Sequence, residues 1–318
     1  MPGVGQPDAG RFSASSQLAH YGDRDYDFYG SFLRLTSTRE VPMIRYSFLS
    51  GFLLAVLCAG CGGGGANNPP TNTVTNAPQA FVNGNFAMTA VSQVVSNTSF
   101  IGGNVQTDAA GHFSGVLHIA GSNCFGVTTD IPFTGTISGL TLSATSSAVN
   151  GQIITVNVMI SADGKSIISG SYSINGGCAG GDHGTVTGFQ MQAFTGGYTG
   201  GFNVGKGTFS MFVPLTQQAS ADSDGVFRFG NTVAETVDGA TGCGFGSFGA
   251  TLVTTSSFAA GNALVLTLNV FDGSANTVAT VTFVGVASDS SAKSVTGTFS
   301  VVSGNCSGSS GTGTLSHP

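Results

Sequence analysis

"SADGKSIISGSYSINGGCAGGDHGTVTG" (residues 161–188) and "ASDSSAKSVTGTFSVVSGNCSGSSGTGTLS" (287–316) follow one plan. Each runs through Gly-[Ser/Thr]-[Tyr/Phe]-Ser to a Cys and then to a Gly-Thr segment. Upstream, "GHFSGVLHIAGSNC" (111–124) matches "DGVFRFGNTVAETVDGATGC" (224–243) more loosely, so each half carries one early and one late cysteine. The repeat predicts two tandem homologous domains, 80–194 and 195–318. Chance similarity between Gly/Ser/Thr-rich segments is the competing reading, because low complexity inflates such matches.

Within the first copy, strand-like runs lie near 84–94, 99–108, 112–121, 130–138, 140–148, 152–162, 166–175 and 184–193. Turn signals such as "SADGKS" and "VNGQ" separate them, and Phe113, Gly115, Leu117 and Ile119 alternate with more polar neighbours. Regular short strands without a helical period predict an all-β protein. Turns this short favour antiparallel meanders, and a small barrel over an open sandwich. Composition agrees: there are 50 Gly, 24 Phe and no Trp, with only 8% charged residues and long Thr, Ser, Val and Asn tracts. Phe227, Phe229, Phe271, Phe283 and Phe299 fall in strand-like segments and are expected in the core.

The net charge of −6 is unevenly distributed. Residues before Met43 are charge-rich and aperiodic, whereas after Cys61 the only Lys and Arg are Lys165, Lys206, Arg228 and Lys293. Binding a polyanion requires clustered basic side chains, so nucleic acid is excluded as a partner.

"FLLAVLCAGCGGGG" (52–65) admits three chemistries. Cys58 and Cys61 have C-x-x-C spacing, but no βαβ pattern surrounds them. Gly60, Gly62 and Gly65 satisfy G-x-G-x-x-G, but "ANNPPTNT" follows where a dinucleotide site needs a helix. The third reading accounts for the neighbours: Met43-Ile44-Arg45 as start and positive n-region, Phe48–Leu57 as apolar h-region, and Ala59-Gly60 as small residues before Cys61. Residues 43–61 thus resemble a bacterial lipoprotein signal peptide with its lipobox, although Cys58 stands where that family prefers Leu. The resemblance implies a diacylglyceryl group on Cys61, cleavage before it, and a membrane partner through the lipid. Gly62, rather than Asp, implies sorting to the outer membrane. Residues 1–42 would then be a disordered or mis-assigned extension, 43–60 the signal peptide and 61–79 a Gly/Asn/Pro/Thr-rich tether.

Cys124, Cys178, Cys243 and Cys306 remain, and three pairings are open. The duplication selects Cys124 with Cys178 and Cys243 with Cys306, each pair within its own domain. The chain-entropy relation assigns roughly 4 kcal/mol to closing loops of this length. Export would supply the oxidising compartment.

No catalytic, metal or cofactor site is expected. His112 and His118 share one strand face, opposite Phe113, Leu117 and Ile119, and are predicted to face solvent roughly 20 Å apart. His183 beside Asp182 lies in a Gly-rich turn, and His317 is at the tail. "DSDG" (222–225) resembles the start of a calcium loop, but Val233 stands where the bidentate Glu belongs, so a hairpin turn is expected. Beyond Cys61 there is a single Glu, Glu235, and Asp108, Asp130, Asp163 and Asp182 fall mostly at strand ends and turns. The expectation is a lipid-anchored envelope protein acting as a binding or structural module on an unidentified envelope or extracellular partner. The alternative is a carrier of a small apolar ligand inside the barrels.

Overall fold

A computed structural model describes residues 80–125, 129–203, 208–230, 233–237, 248–272, 274–304 and 306–318. Where one face of a strand is wet, the pattern is strict: Ile131, Phe133 and Ile137 are buried while Pro132, Thr134, Thr136 and Ser138 are exposed or nearly so. Eight strands, β1 (Gly84–Ser92), β2 (Thr98–Thr107), β3 (His112–Ala120), β4 (Ile131–Ser138), β5 (Thr141–Ser146), β6 (Ile153–Ile160), β7 (Ser166–Asn175) and β8 (His183–Gln190), form a closed antiparallel barrel. Each pairs with its sequence neighbours, and β1 closes on β8 with Ala90 opposite Val186.

The second sheet comprises β9 (Thr195–Asn203), β10 (Thr208–Thr216), β11 (Phe227–Arg228), β12 (Val233–Val237), β13 (Phe248–Leu252), β14 (Phe258–Ala260), β15 (Ala263–Phe271), β16 (Thr277–Ala287), β17 (Ser294–Gly304) and β18 (Ser310–Ser316). β11 and β12 pair with β14 and β13 respectively, so each duo takes the place of one strand. The ladders then run from β9 through β10, β12, β13, β15, β16, β17 and β18 back to β9, a nearly closed barrel. Its shallow side is the β10–β12, β12–β13 and β13–β15 ladders, which share three, four and three residue pairs. Counted this way, both barrels have the same strand order, and Cys178 and Cys306 both lie in the last hairpin.

The Gly/Phe-rich composition has a packing reason in the second barrel. Phe202 stacks on Phe299 at 5.1 Å between centroids, Phe209 lies 4.7 Å from Phe299, and Phe283 meets Phe202 edge-on at 5.5 Å. A Cβ on Gly285 would lie 2.6 Å from the Phe283 ring, and one on Gly313 would lie 2.6 Å from that of Phe202. Glycine thus makes room inside the barrel for rings that fill it. Phe227, Phe229, Phe283 and Phe299 are core residues as expected, whereas Phe271, at the end of β15, is only half-buried.

Alternation fails at three places, and there the second barrel covers the outside of the first. Asn85-Phe86-Ala87, Ile101-Gly102-Gly103 and Leu117-His118-Ile119 are each buried without a break. The Asn85 amide grips the backbone of Gly261, donating from Nδ2 to its carbonyl (2.9 Å) and accepting from its N–H at Oδ1 (2.6 Å). Gly261, at φ +59°, sits so close that a Cβ on Gly102 would lie 2.5 Å from its Cα. The Asn104 N–H donates to the Gly225 carbonyl at 3.0 Å, and Ala87, Phe189 and Met191 pack into the second core. This corrects the expectation for His118. It faces outward from its barrel, yet it is 7% exposed, because its Nε2 donates to the Asp224 carbonyl at 2.8 Å beneath the 222–225 turn. His112, at the far end of β3, is exposed as expected.

Candidate functional site

The closed barrel has two ends of different character. Residues 80–83 run across one: Ala80 and Val82 are buried, and the Ala80 N–H donates to the Gly139 carbonyl at 3.0 Å. The other end is a mouth framed by the β1–β2, β3–β4 and β7–β8 connections. Cys124 and Cys178 join two of these at a Cα separation of 5.6 Å, as the duplication predicts. Between the mouth and the plugged end the barrel is packed with Phe86, Phe113, Phe133 and branched aliphatics, leaving an entirely apolar void of about 30 Å³. That is the volume of about one water in the liquid, against several hundred Å³ for a ligand site. This void in the first barrel is far smaller than such a site.

The mouth is different. A cavity of about 240 Å³ opens there over a floor of Ile101, Ile119, Phe125, Ile154 and Ile174. Val94 and Val95, more than half exposed, stand at its edge on the β1–β2 connection. Among the described residues one carboxylate lines it, Asp182, and its position follows from the local chain. Gly181 adopts φ +87° and returns its N–H to the Ile174 carbonyl, which brings Asp182 back over the barrel end. Asp182 then accepts from the Ser92 hydroxyl at Oδ1 (2.6 Å) and from the Tyr172 hydroxyl at Oδ2 (3.0 Å). The same Ser92 oxygen accepts the N–H groups of Val94 and Val95 at 3.1 and 3.0 Å, so one hydroxyl ties the edge to the carboxylate. Burial, and next the bond to Asp182, push the Tyr172 phenol up to about 12, keeping it a donor at neutral pH.

Other residues considered from the sequence do not converge. Asp108 and His112 form an exposed pair at 2.8 Å, and the hydrogen bond from His112 is the main cause that holds the Asp108 carboxyl below its usual range. Asp163 accepts from Ser161 within an exposed turn, and that bond chiefly lowers its pKa. Asp130 is half-exposed, 3.7 Å from His118. His183 is exposed with Nδ1 3.2 Å from the Gly181 carbonyl, and the His317 ring lies 5.4 Å from that of Tyr198. The 222–225 stretch is a turn, as expected, and its carboxylates serve Arg228: Nε donates to Asp222 at 3.0 Å and Nη2 to Asp224 at 2.6 Å. Among the described residues no group of three or more His, Cys, Asp or Glu could hold a metal ion. Cys61 and Cys243 lie outside the described residues, as does the Glu235 side chain, while Cys306 packs half-buried against the second core.

The sequence marks Asp182 as one of several candidate carboxylates, in a turn beside His183, and no motif in it marks Ser92 or the mouth. The signal available was the pair Val94-Val95, two adjacent apolar residues in a connection that should be polar. Comparison with protein families, curated proteins and solved structures returns no match.

Proposed function

We propose that the chain is a lipid-anchored protein of the cell envelope, sorted to the outer membrane, that displays two docked β-barrels as a binding module and turns nothing over. The observation that carries the binding reading is the mouth of the first barrel, an apolar floor with a held carboxylate above a filled interior. A cavity that is shaped and equipped with a fixed polar group suits recognition. The lipobox-like 43–61 stretch supports the anchor. The Cys124–Cys178 bridge supports an oxidising compartment, where such bonds persist.

Metabolic labelling with a fatty acid tests the anchor: the wild type should take label and Cys61→Ser should not. Equal labelling of both would remove the anchor from this reading. Binding is tested by methyl NMR of the isoleucines with a panel of small charged, polar and apolar molecules. At least one class should move Ile101, Ile119, Ile154 and Ile174 together. A panel without effect there, or a reproducible hydrolysis abolished by one Asp or His substitution in a protein of unchanged stability, would overturn the binding module.

A further inference from the structure

We infer that the mouth of the first barrel takes a small organic cation, an alkylammonium group on a short apolar body, with Asp182 as its counter-ion. The inference rests on the reading of the mouth as a binding site and adds its ligand class. Three observations carry it: one sets the ligand's charge, one its body and one the low cost of ordering the site.

The carboxylate has hydrogen-bond donors but, among the described residues, no cation. Both oxygens are held by hydroxyls, whereas the ion pairs among the described residues involve Asp108, Asp130, Asp222 and Asp224. Of the described Lys and Arg, Arg228 pairs with Asp222 and Asp224, Lys293 donates to the Pro318 carbonyl, and Lys165 lies in the β6–β7 turn at the opposite end of the barrel. A carboxylate beside an apolar floor that accepts only from neutral hydroxyls favours a positive charge placed against it.

The floor specifies the rest of the ligand. Phe125 and Ile154 are buried beneath the opening, and Val94 and Val95 stand exposed at its edge, so a short alkyl chain would meet apolar surface on both sides. The volume of about 240 Å³ lies below the roughly 300 Å³ at which drug-sized sites begin, so the ligand is small. Finally, the recognition group is set in advance. Ser92 and Tyr172 point the carboxylate, and Ser92 also fixes the edge through two backbone N–H groups, so little ordering remains to be done on binding. A free amine and a lysine side chain presented by another protein share this chemistry.

The test uses the full-length chain, with n-butylammonium and n-butanol as a charged and neutral pair followed by isoleucine methyl shifts at the mouth. The ammonium should bind at least tenfold more tightly than the alcohol, and raised salt should narrow the gap. Asp182→Asn should abolish the preference. Asn123→Lys, which puts a cation at an exposed lining position without touching the Ser92–Asp182–Tyr172 set, should abolish it independently of any folding defect in the first variant. A short peptide with one central lysine distinguishes the sources: binding tighter than the free amine assigns the cation to a partner's side chain. Equal binding of the two probes to the wild type, or a preference that survives Asn123→Lys, overturns the cation while leaving the mouth as a site. Failure of both probes and of the wider panel overturns the site itself.

Discussion

Replacing Asn85 by Ala tests whether the two barrels are one cooperative body. The amide is 4% exposed and satisfies both the N–H and the carbonyl of Gly261. Truncation leaves those two backbone groups buried without partners, at about 1–3 kcal/mol each, so a loss near 3 kcal/mol is expected. Asn85→Asp should do at least as much damage despite its equal size. One carboxylate oxygen can still accept from the Gly261 N–H, but the other faces the Gly261 carbonyl oxygen and brings a buried charge. Asn157→Ala is the control: its amide is exposed on β6 and accepts from Ser143 at 2.7 Å, so its loss should stay within about 0.5 kcal/mol. The assay is urea unfolding by linear extrapolation, read by far-UV circular dichroism and by the near-UV signals of Tyr172 in the first barrel and Tyr198 in the second. The Tyr198 transition should move to lower urea. An Asn85→Ala transition within about 0.5 kcal/mol of wild type would refute the seam as an energetic link.

Three further outcomes are expected. Cys124→Ala with Cys178→Ala opens a 54-residue loop and should cost roughly 4 kcal/mol in the first barrel, measured by the same unfolding assay; an unchanged midpoint would contradict it. Gly102→Val puts side-chain atoms where Gly261 sits, so small-angle scattering should show an expanded molecule with both barrels still folded; an unaltered profile would show that the seam yields. Stability should fall between pH 10 and 12, because burial raises both Tyr172 and Tyr198 to about 12 and the unfolded chain, titrating near 10, releases those protons first. Below pH 10 this contribution is intact, and it is of the order of 2 kcal/mol for each phenol. Urea midpoints at pH 8, 10 and 11.5 check the slope, and a flat profile would count against burial of the two hydroxyls.

Local pattern carried much of the architecture. Period-two alternation, as in Phe113, Gly115, Leu117 and Ile119, together with turn signals, placed the strands of the first barrel within a few residues of their observed limits, because a slip of one residue would turn every side chain to the other face. Repetition of the cysteines selected the Cys124–Cys178 bridge, since equivalent positions in equivalent barrels have equivalent neighbours. What sequence alone could not decide is which outward faces stay wet. His118 is expected on the solvent side of its strand, and only the docking of the 222–225 turn buries it, as the Gly261 turn buries Asn85. Nor could it bring Ser92, Tyr172 and Asp182 together. Tyr172 and Asp182 face each other across the β7–β8 hairpin, but Ser92 reaches them only when β1 closes on β8, and a contact made by closure depends on barrel geometry rather than on any spacing along the chain.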